Sequence, residues 1–379
     1  MSWISKLFRR TDEQEYTYEE TPTVVQPARR AHIDDSEVNL PRFKNMVGGV
    51  DGGHHKTDAE RVRAKLRDAF TPSHPVTDVR MFAGREDLLL TLIRAIEDQR
   101  LHAVIYGDRG IGKTSMLHVL TQLAKEAQYT VRYTSCGVGT EFSEIFRAVA
   151  ADISLLYHED YDPTDPAIEH GGTLADKLPE GRLSVAQMTD LLSKIHGTRI
   201  LIILDEFDRA DSAQFRQQVA ELIKNLSDRS IAVQMVIAGV ASNLTELIAH
   251  IPSIRRNIMG LPIDVMNPQE IEELVKNGEW ASGLKFQPKA IENIIKLSNG
   301  SPYLASLLGQ HAGLAATQRD AVRVTPEDIK AAVRQALEEV RLRISPRHIV
   351  LVDKAVANGN FETLRDMAAS SMANAGQIL

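Results

Sequence analysis

One stretch constrains this chain more than any other: Gly107-Asp108-Arg109-Gly110-Ile111-Gly112-Lys113-Thr114-Ser115. It has the spacing G-x-x-x-x-G-K-[ST], and it stands where that spacing has physical meaning, between a strand-like run and a helical pattern. Ala103-Val104-Ile105-Tyr106 reads as a buried strand, being short, rich in β-formers and closed by glycine. The residues from Lys113 to Ala127 read as a helix. Glycines let the backbone curl until successive N–H groups point inward, and the first turn of the helix adds unpaired donors and positive dipole. Such a bend suits phosphate oxygens. Lys113 is placed to reach the β- and γ-phosphates of a nucleotide, and the Thr114 hydroxyl to ligate Mg²⁺.

A second constellation follows the strongest strand pattern in the chain, Arg199–Leu204, which runs into Asp205-Glu206-Phe207-Asp208-Arg209. Carboxylates at the carboxyl end of a buried parallel strand are costly unless paired or metal-bound, and ligands of open α/β sheets collect there. Asp205 is expected in the Mg²⁺ shell, and Glu206 as the general base that polarises water. Asp208 and Arg209 read either as a surface ion pair or as catalytic.

From the loop onward strands and helices alternate: a strand at 130–134, a helix at 142–156, an Asp-, Pro- and Gly-rich insertion at 157–182, helices at 185–196 and 213–226, and strands at 232–238 and 261–265. Alternation of this kind implies a parallel sheet with helices on both faces. Beyond Pro268 the pattern is helical, at 269–280, 288–297, 303–317, 326–342, 347–358 and 361–372, with prolines at several first turns. The expected organisation is a disordered tail over 1–57, an α/β nucleotide-binding domain over 58–266, an all-helical lid over 267–344 and a helical extension over 345–379.

Composition narrows the function classes. A net charge of −7 argues against coating nucleic acid by bulk charge. The single cysteine, Cys136, excludes an internal disulfide and Cys₂His₂ or Cys₄ zinc sites, which fits a reducing, cytoplasmic setting. No run approaches the ~18 apolar residues of a membrane-spanning helix. On a helix, Trp3, Ile4, Leu7 and Phe8 would share one face beside Lys6, Arg9 and Arg10, so residues 3–10 could touch an anionic membrane or a partner groove. His102, His118 and His196 read as core or boundary histidines, and Lys330, Arg334, Arg341 and Arg343 as a solvated helix face.

Taken together, the loop at 107–115 and Asp205-Glu206 resemble the AAA+ class of P-loop ATPases, in the branch that holds origin-recognition-type, TniB-like and STAND-like members. The resemblance covers about residues 76–317. Phe82-Ala83-Gly84-Arg85-Glu86 looks like the box that borders the adenine in these families, and Ser301-Pro302 like the segment whose proline packs near it. After the strand at 232–238, Ser242 or Asn243 stands where a polar sensor holds the lytic water, and Arg256, or alternatively Arg255, where an arginine finger lies. Tyr303 occupies about the position of the arginine that origin-type members carry, so coupling of the lid through that arginine is not implied.

The resemblance implies an ATP-binding, ATP-hydrolysing, Mg²⁺-dependent switch that forms homo-oligomers, with hydrolysis controlled across the subunit interface; a protein client would fit this reading, and the sequence does not identify one. A nucleic-acid-associated recruiting ATPase is the alternative, and a nucleotide-ordered membrane or partner scaffold a further one.

Overall fold

The computed structural model describes residues 58–244, 247 and 252–343. The expected tail, residues 3–10, and the helices at 347–358 and 361–372 lie outside the described residues. Five strands, β1 (His102–Gly107), β2 (Thr130–Ser135), β3 (Ile200–Asp205), β4 (Val233–Val240) and β5 (Ile258–Pro262), form one parallel sheet in the order β2-β3-β4-β1-β5. β3 is buried along its whole length, which is what a continuous Ile/Leu run demands. The chain leaves β1 and crosses two strand positions to β2, so the carboxyl ends of β1, β3 and β4 open onto one crevice.

Period-two alternation divides the sheet's side chains between two cores. Ala103, Ile105, Leu201, Ile203, Val236 and Ala238 pack toward α2 (Glu86–Glu97) and α3 (Lys113–Glu126). Val104, Ile202, Leu204, Met235 and Ile237 pack toward α4 (Phe142–Ala151), α6 (Val185–Ser193) and α7 (Ala213–Asp228). The expected parallel sheet with helices on both faces is therefore the observed one.

Several boundaries differ from the sequence reading. The helix expected to reach 156 stops at Ala151, and a single turn, Leu155–Tyr157, follows with Ser154 as its cap. The insertion is not bare loop: α5 (Pro166–Glu169) starts from Asp165, whose carboxylate accepts from Ala167 N, and a further turn spans Leu174–Lys177. The last strand lies at Ile258–Pro262, not at 261–265, because apolar residues continue through Val265 and periodicity cannot say where pairing ends. His196, expected at a core boundary, is exposed beside Glu159.

The C-terminal helices are α8 (Pro268–Ser282), α9 (Pro288–Ser298), α10 (Pro302–Gln318) and α11 (Pro326–Arg343). Asn267 and Glu270 cap α8 reciprocally, and α8, α9 and α10 carry proline in their first turn. The region is not wholly helical: Lys285–Phe286 and Arg323–Val324 form a two-stranded parallel bridge. Its core also takes in α1 (Asp58–Ala69): Leu66 and Phe70 pack with Ile271, Val275, Leu308 and Ala312. Helix α1, which the sequence groups with the α/β part, thus joins the helices after Pro268. Gly278 and Gly309 make room for it, since a Cβ on either would fall within 2.5 Å of the Phe70 ring. Among the described residues no helix is long and apolar enough to cross a membrane.

Candidate functional site

Gly107 ends β1 at φ +150°, and a Cβ there would lie 2.4 Å from the Ile263 carbonyl oxygen, so the strand-to-loop corner has no room for a side chain. Gly110 (φ +76°) and Gly112 (φ +100°) supply the left-handed backbone of the bend. Gly112 is the N-cap of α3 and contributes no side-chain cap, which leaves the first amides of that helix facing the bend. Asp108 and Arg109 are exposed, while Ile111 is buried in the core shared by α2 and α3 and anchors the loop from below. Ser115 accepts from Val76 N at 3.1 Å.

Lys113 is largely buried and folds back on the loop, donating to the carbonyls of Gly107 (2.8 Å) and Asp108 (2.7 Å). Burial pulls its ammonium below the usual lysine range, and the carboxylates of Asp208, Asp205 and Asp108 oppose that pull. Beside it the Thr114 hydroxyl donates to Asp205 Oδ2 at 2.8 Å. Asp205 is only 3% exposed. Its donors are neutral: the Thr114 hydroxyl, the Tyr133 phenol on the same Oδ2 at 2.7 Å, and Glu206 N on Oδ1 at 2.8 Å. A buried carboxylate beside a hydroxyl, with neutral donors, is a hard-oxygen set that suits Mg²⁺ completed by phosphate and water oxygens. Among the described residues no group of three or more His, Cys, Asp or Glu could hold an ion by itself.

Glu206 sits in the left-handed region (φ 52°, ψ 36°), which is strained for a residue with a Cβ. Its Oε2 accepts from Ser135 Oγ (3.0 Å) and from the Arg209 guanidinium (2.8 Å). Asp208 and Arg209 are not the expected mutual ion pair: Asp208 Oδ1 accepts from Val240 N at the end of β4, and Arg209 pairs with Glu206. Cys136 follows β2 and is buried; burial, with the carboxylates of Asp205, Asp208 and Glu206, pushes its thiol up to about 12.

The remaining sequence candidates fall into two groups. Phe82 is half-buried on the core that holds Ile111, Leu261 and Ile263. Pro302 Cγ comes within 3.9 Å of where a Gly112 Cβ would stand. Both therefore border the loop. Ser242 and Asn243 are exposed just beyond β4. Arg256 is exposed in the turn Pro252–Asn257 that precedes β5, and the Arg255 side chain lies outside the described residues. Ile258 pairs with His102 at the amino end of β1, so Arg256 lies at the opposite end of the strands from Gly107.

Two residues escaped the sequence reading of the site. Arg85, named only as part of a box, is 5% exposed and donates to Ile111 O within the loop and to Asp264 O (2.7 Å) beyond β5. Burial lowers its pKa, with Glu270 and Asp264 opposing. Tyr133 lies inside the strand expected at 130–134, with no local feature to single it out. Its only available signal was register: β2 pairs with β3 so that Ser135 faces Asp205, which puts Tyr133 diagonally behind the carboxylate. Burial and the bond to Asp205 raise its phenol pKa.

A family model described as AAA domain matches residues 96–248, which span the loop, Asp205 and Glu206. The chain has the fold of an AAA+ P-loop NTPase. Among solved structures, Cdc6p from Pyrobaculum aerophilum shares this AAA+ fold at 16% identity and a TM-score of 0.51, covering 71% of this chain and 70% of that one. The Aeropyrum pernix Orc1 protein in complex with DNA is similar at 16% identity and 0.48, covering 77% and 75%. The Thermotoga maritima RuvB Holliday junction branch migration motor is similar at 18% and 0.44, covering 71% and 72%. At these identities the likeness is one of fold. No curated protein matches the chain in sequence.

Proposed function

We propose that this AAA+ chain binds ATP and hydrolyses it as a self-assembling switch. The observation that carries the reading is the 2.8 Å contact between Thr114 and a buried Asp205 directly beside the amide-lined bend and Lys113. The loop amides from Gly110 to Lys113 would take the phosphate oxygens that the Lys113 ammonium, now satisfied by two carbonyls, is poised to join. Thr114 and Asp205 would hold Mg²⁺, which when bound neutralises phosphate charge. Glu206 lies at the rim of the same crevice, and once its carboxylate leaves Ser135 and Arg209 it can accept a proton from water. Ser242 or Asn243 would orient that water, while Phe82 and Pro302 would flank the base.

Self-assembly enters through Arg256. It sits at the end of the strands away from its own loop, which supports a role only at a neighbouring subunit's phosphates, where a guanidinium stabilises charge developing on transfer. The test is Mg²⁺-dependent phosphate release by the full chain, with particle size followed in ADP and ATP. Glu206→Gln should lose turnover and keep nucleotide affinity, and it should be the form that accumulates as an assembly in ATP. Lys113→Ala should lose binding. Turnover equal to the parent in both variants would refute the assignment.

A further inference from the structure

We propose that Tyr133 is a positioning residue that fixes the Asp205 carboxylate for the metal; the inference rests on the nucleotide reading above. Three donors from three different elements hold that carboxylate. Thr114 on α3 and Tyr133 on β2 share Oδ2, and Glu206 N beyond β3 takes Oδ1. A carboxylate offers about four acceptor positions, so Oδ2 is filled and Oδ1 keeps room for a water.

The three donors are not equivalent. Thr114 must also turn its oxygen toward the ion, and Glu206 stands in a strained turn whose side chain has its own work. Tyr133 alone has no second duty. Its ring is pinned between β2 and α3, stacked on His118 with centroids 4.8 Å apart and planes 23° from parallel. His118 lies one turn after Thr114 on the same helix, so the ring measures its position from the element that carries the hydroxyl ligand. The phenol thus keeps Oδ2 aimed at Thr114 whichever way the threonine hydroxyl rotates.

The decisive variant is Tyr133→Phe in the full chain, which keeps the ring and its stack and removes only the donor. Nucleotide affinity is measured by calorimetry with ADP and ATP, first in EDTA and then across a Mg²⁺ titration. Hydrogen-bonded supports of metal ligands typically change metal affinity by about 10–100-fold, so the Mg²⁺ concentration giving half the effect should rise at least about tenfold. Affinity in EDTA should stay that of the parent. His118→Ala, which keeps the phenol and loosens the ring, should shift the Mg²⁺ requirement the same way by less.

An unchanged Mg²⁺ requirement in Tyr133→Phe would overturn the proposal. So would equal losses with and without Mg²⁺, because the phenol would then support the loop as a whole. A parent that binds no adenine nucleotide would instead refute the nucleotide reading itself, and this inference with it.

Discussion

His102 sits at the far end of the sheet from the phosphate loop, and it ties stability to pH. The residue opens β1 and is 2% exposed. Its Nδ1 lies 2.9 Å from Met235 N on β4, and since a backbone N–H can only donate, Nδ1 must be unprotonated. Nε2 then carries the hydrogen and faces Ser227 Oγ at 3.1 Å. Protonating Nδ1 would set two donors against each other and bury a positive charge, and burial accordingly lowers the pKa from 6.5 to about 4. The folded pKa lies below the unfolded one, so the unfolded chain binds the proton more readily. This contribution is complete above pH 6.5 and is lost as pH falls toward 4. At 1.36 kcal/mol per unit the whole effect is about 3 kcal/mol, of which about 2 kcal/mol is gone by pH 5. The measurement is urea unfolding of the parent and of His102→Gln at pH 7 and pH 5. Glutamine keeps an acceptor and does not titrate, and carboxylate effects common to both chains cancel. The parent's advantage should shrink by about 2 kcal/mol between the two pH values. Parallel pH dependence in the two chains would refute the buried neutral tautomer.

Two further outcomes follow from the loop and its neighbours. Gly107→Ala drives a Cβ to 2.4 Å from a backbone oxygen that cannot step aside, and should cost about 3 kcal/mol and lower the melting temperature. Gly110→Ala meets nothing within 4 Å and suffers only from its left-handed φ, about 1 kcal/mol. Thermal melts of the pair should therefore differ clearly, and equal losses would contradict the strand-end geometry. Cys136, buried with a thiol pKa near 12, should resist iodoacetamide at pH 8 and react once the chain is unfolded in urea. Rapid alkylation of the native chain would show that the crevice beside Asp205 is open to solvent.

How far the sequence could be read depended on which constraints are local. The bend at 107–115 was legible because two glycines, a lysine and a hydroxyl residue at fixed spacing are dictated by one turn of backbone, and the angles of Gly107 and Gly112, with Gly110 between them, are that turn. β3 was legible because a strand covered on both faces must be apolar at every position. What is set by distant contacts was not legible. Tyr133 meets Asp205 only through the register of two strands separated by an insertion. Arg85 finds its partners in the loop and beyond β5, and its only local sign was a charged residue before an apolar helix. The place of α1 was hidden for the same reason: Val62, Leu66 and Phe70 announce a helix, but it is Gly278 and Gly309, far along the chain, that make a socket for the phenyl ring. The strand β5 was misplaced because Ile263 and Val265 continue its apolar character after the strand has ended at Pro262.

Glu206 shows where local preference and the crevice disagree. A left-handed backbone costs an ordinary residue about 1–2 kcal/mol, and glycine would remove the strain. The ion pair its side chain makes lies in solvent, since Glu206 and Arg209 are 44% and 59% exposed, and such pairs give about 0–1 kcal/mol. Folding alone thus gives little reason for a carboxylate at this corner. The left-handed turn swings the carboxylate out to Ser135 at the rim, while the amide of the same residue donates to Asp205 Oδ1. One residue thereby holds the Asp205 carboxylate with its backbone and offers a second carboxylate to solvent with its side chain. Strain of this kind persists when the surrounding structure overdetermines it, here through a buried strand on one side and the Phe207–Arg209 turn on the other. That conflict supports the proposed role of Glu206 as proton acceptor as much as its place in the sequence does.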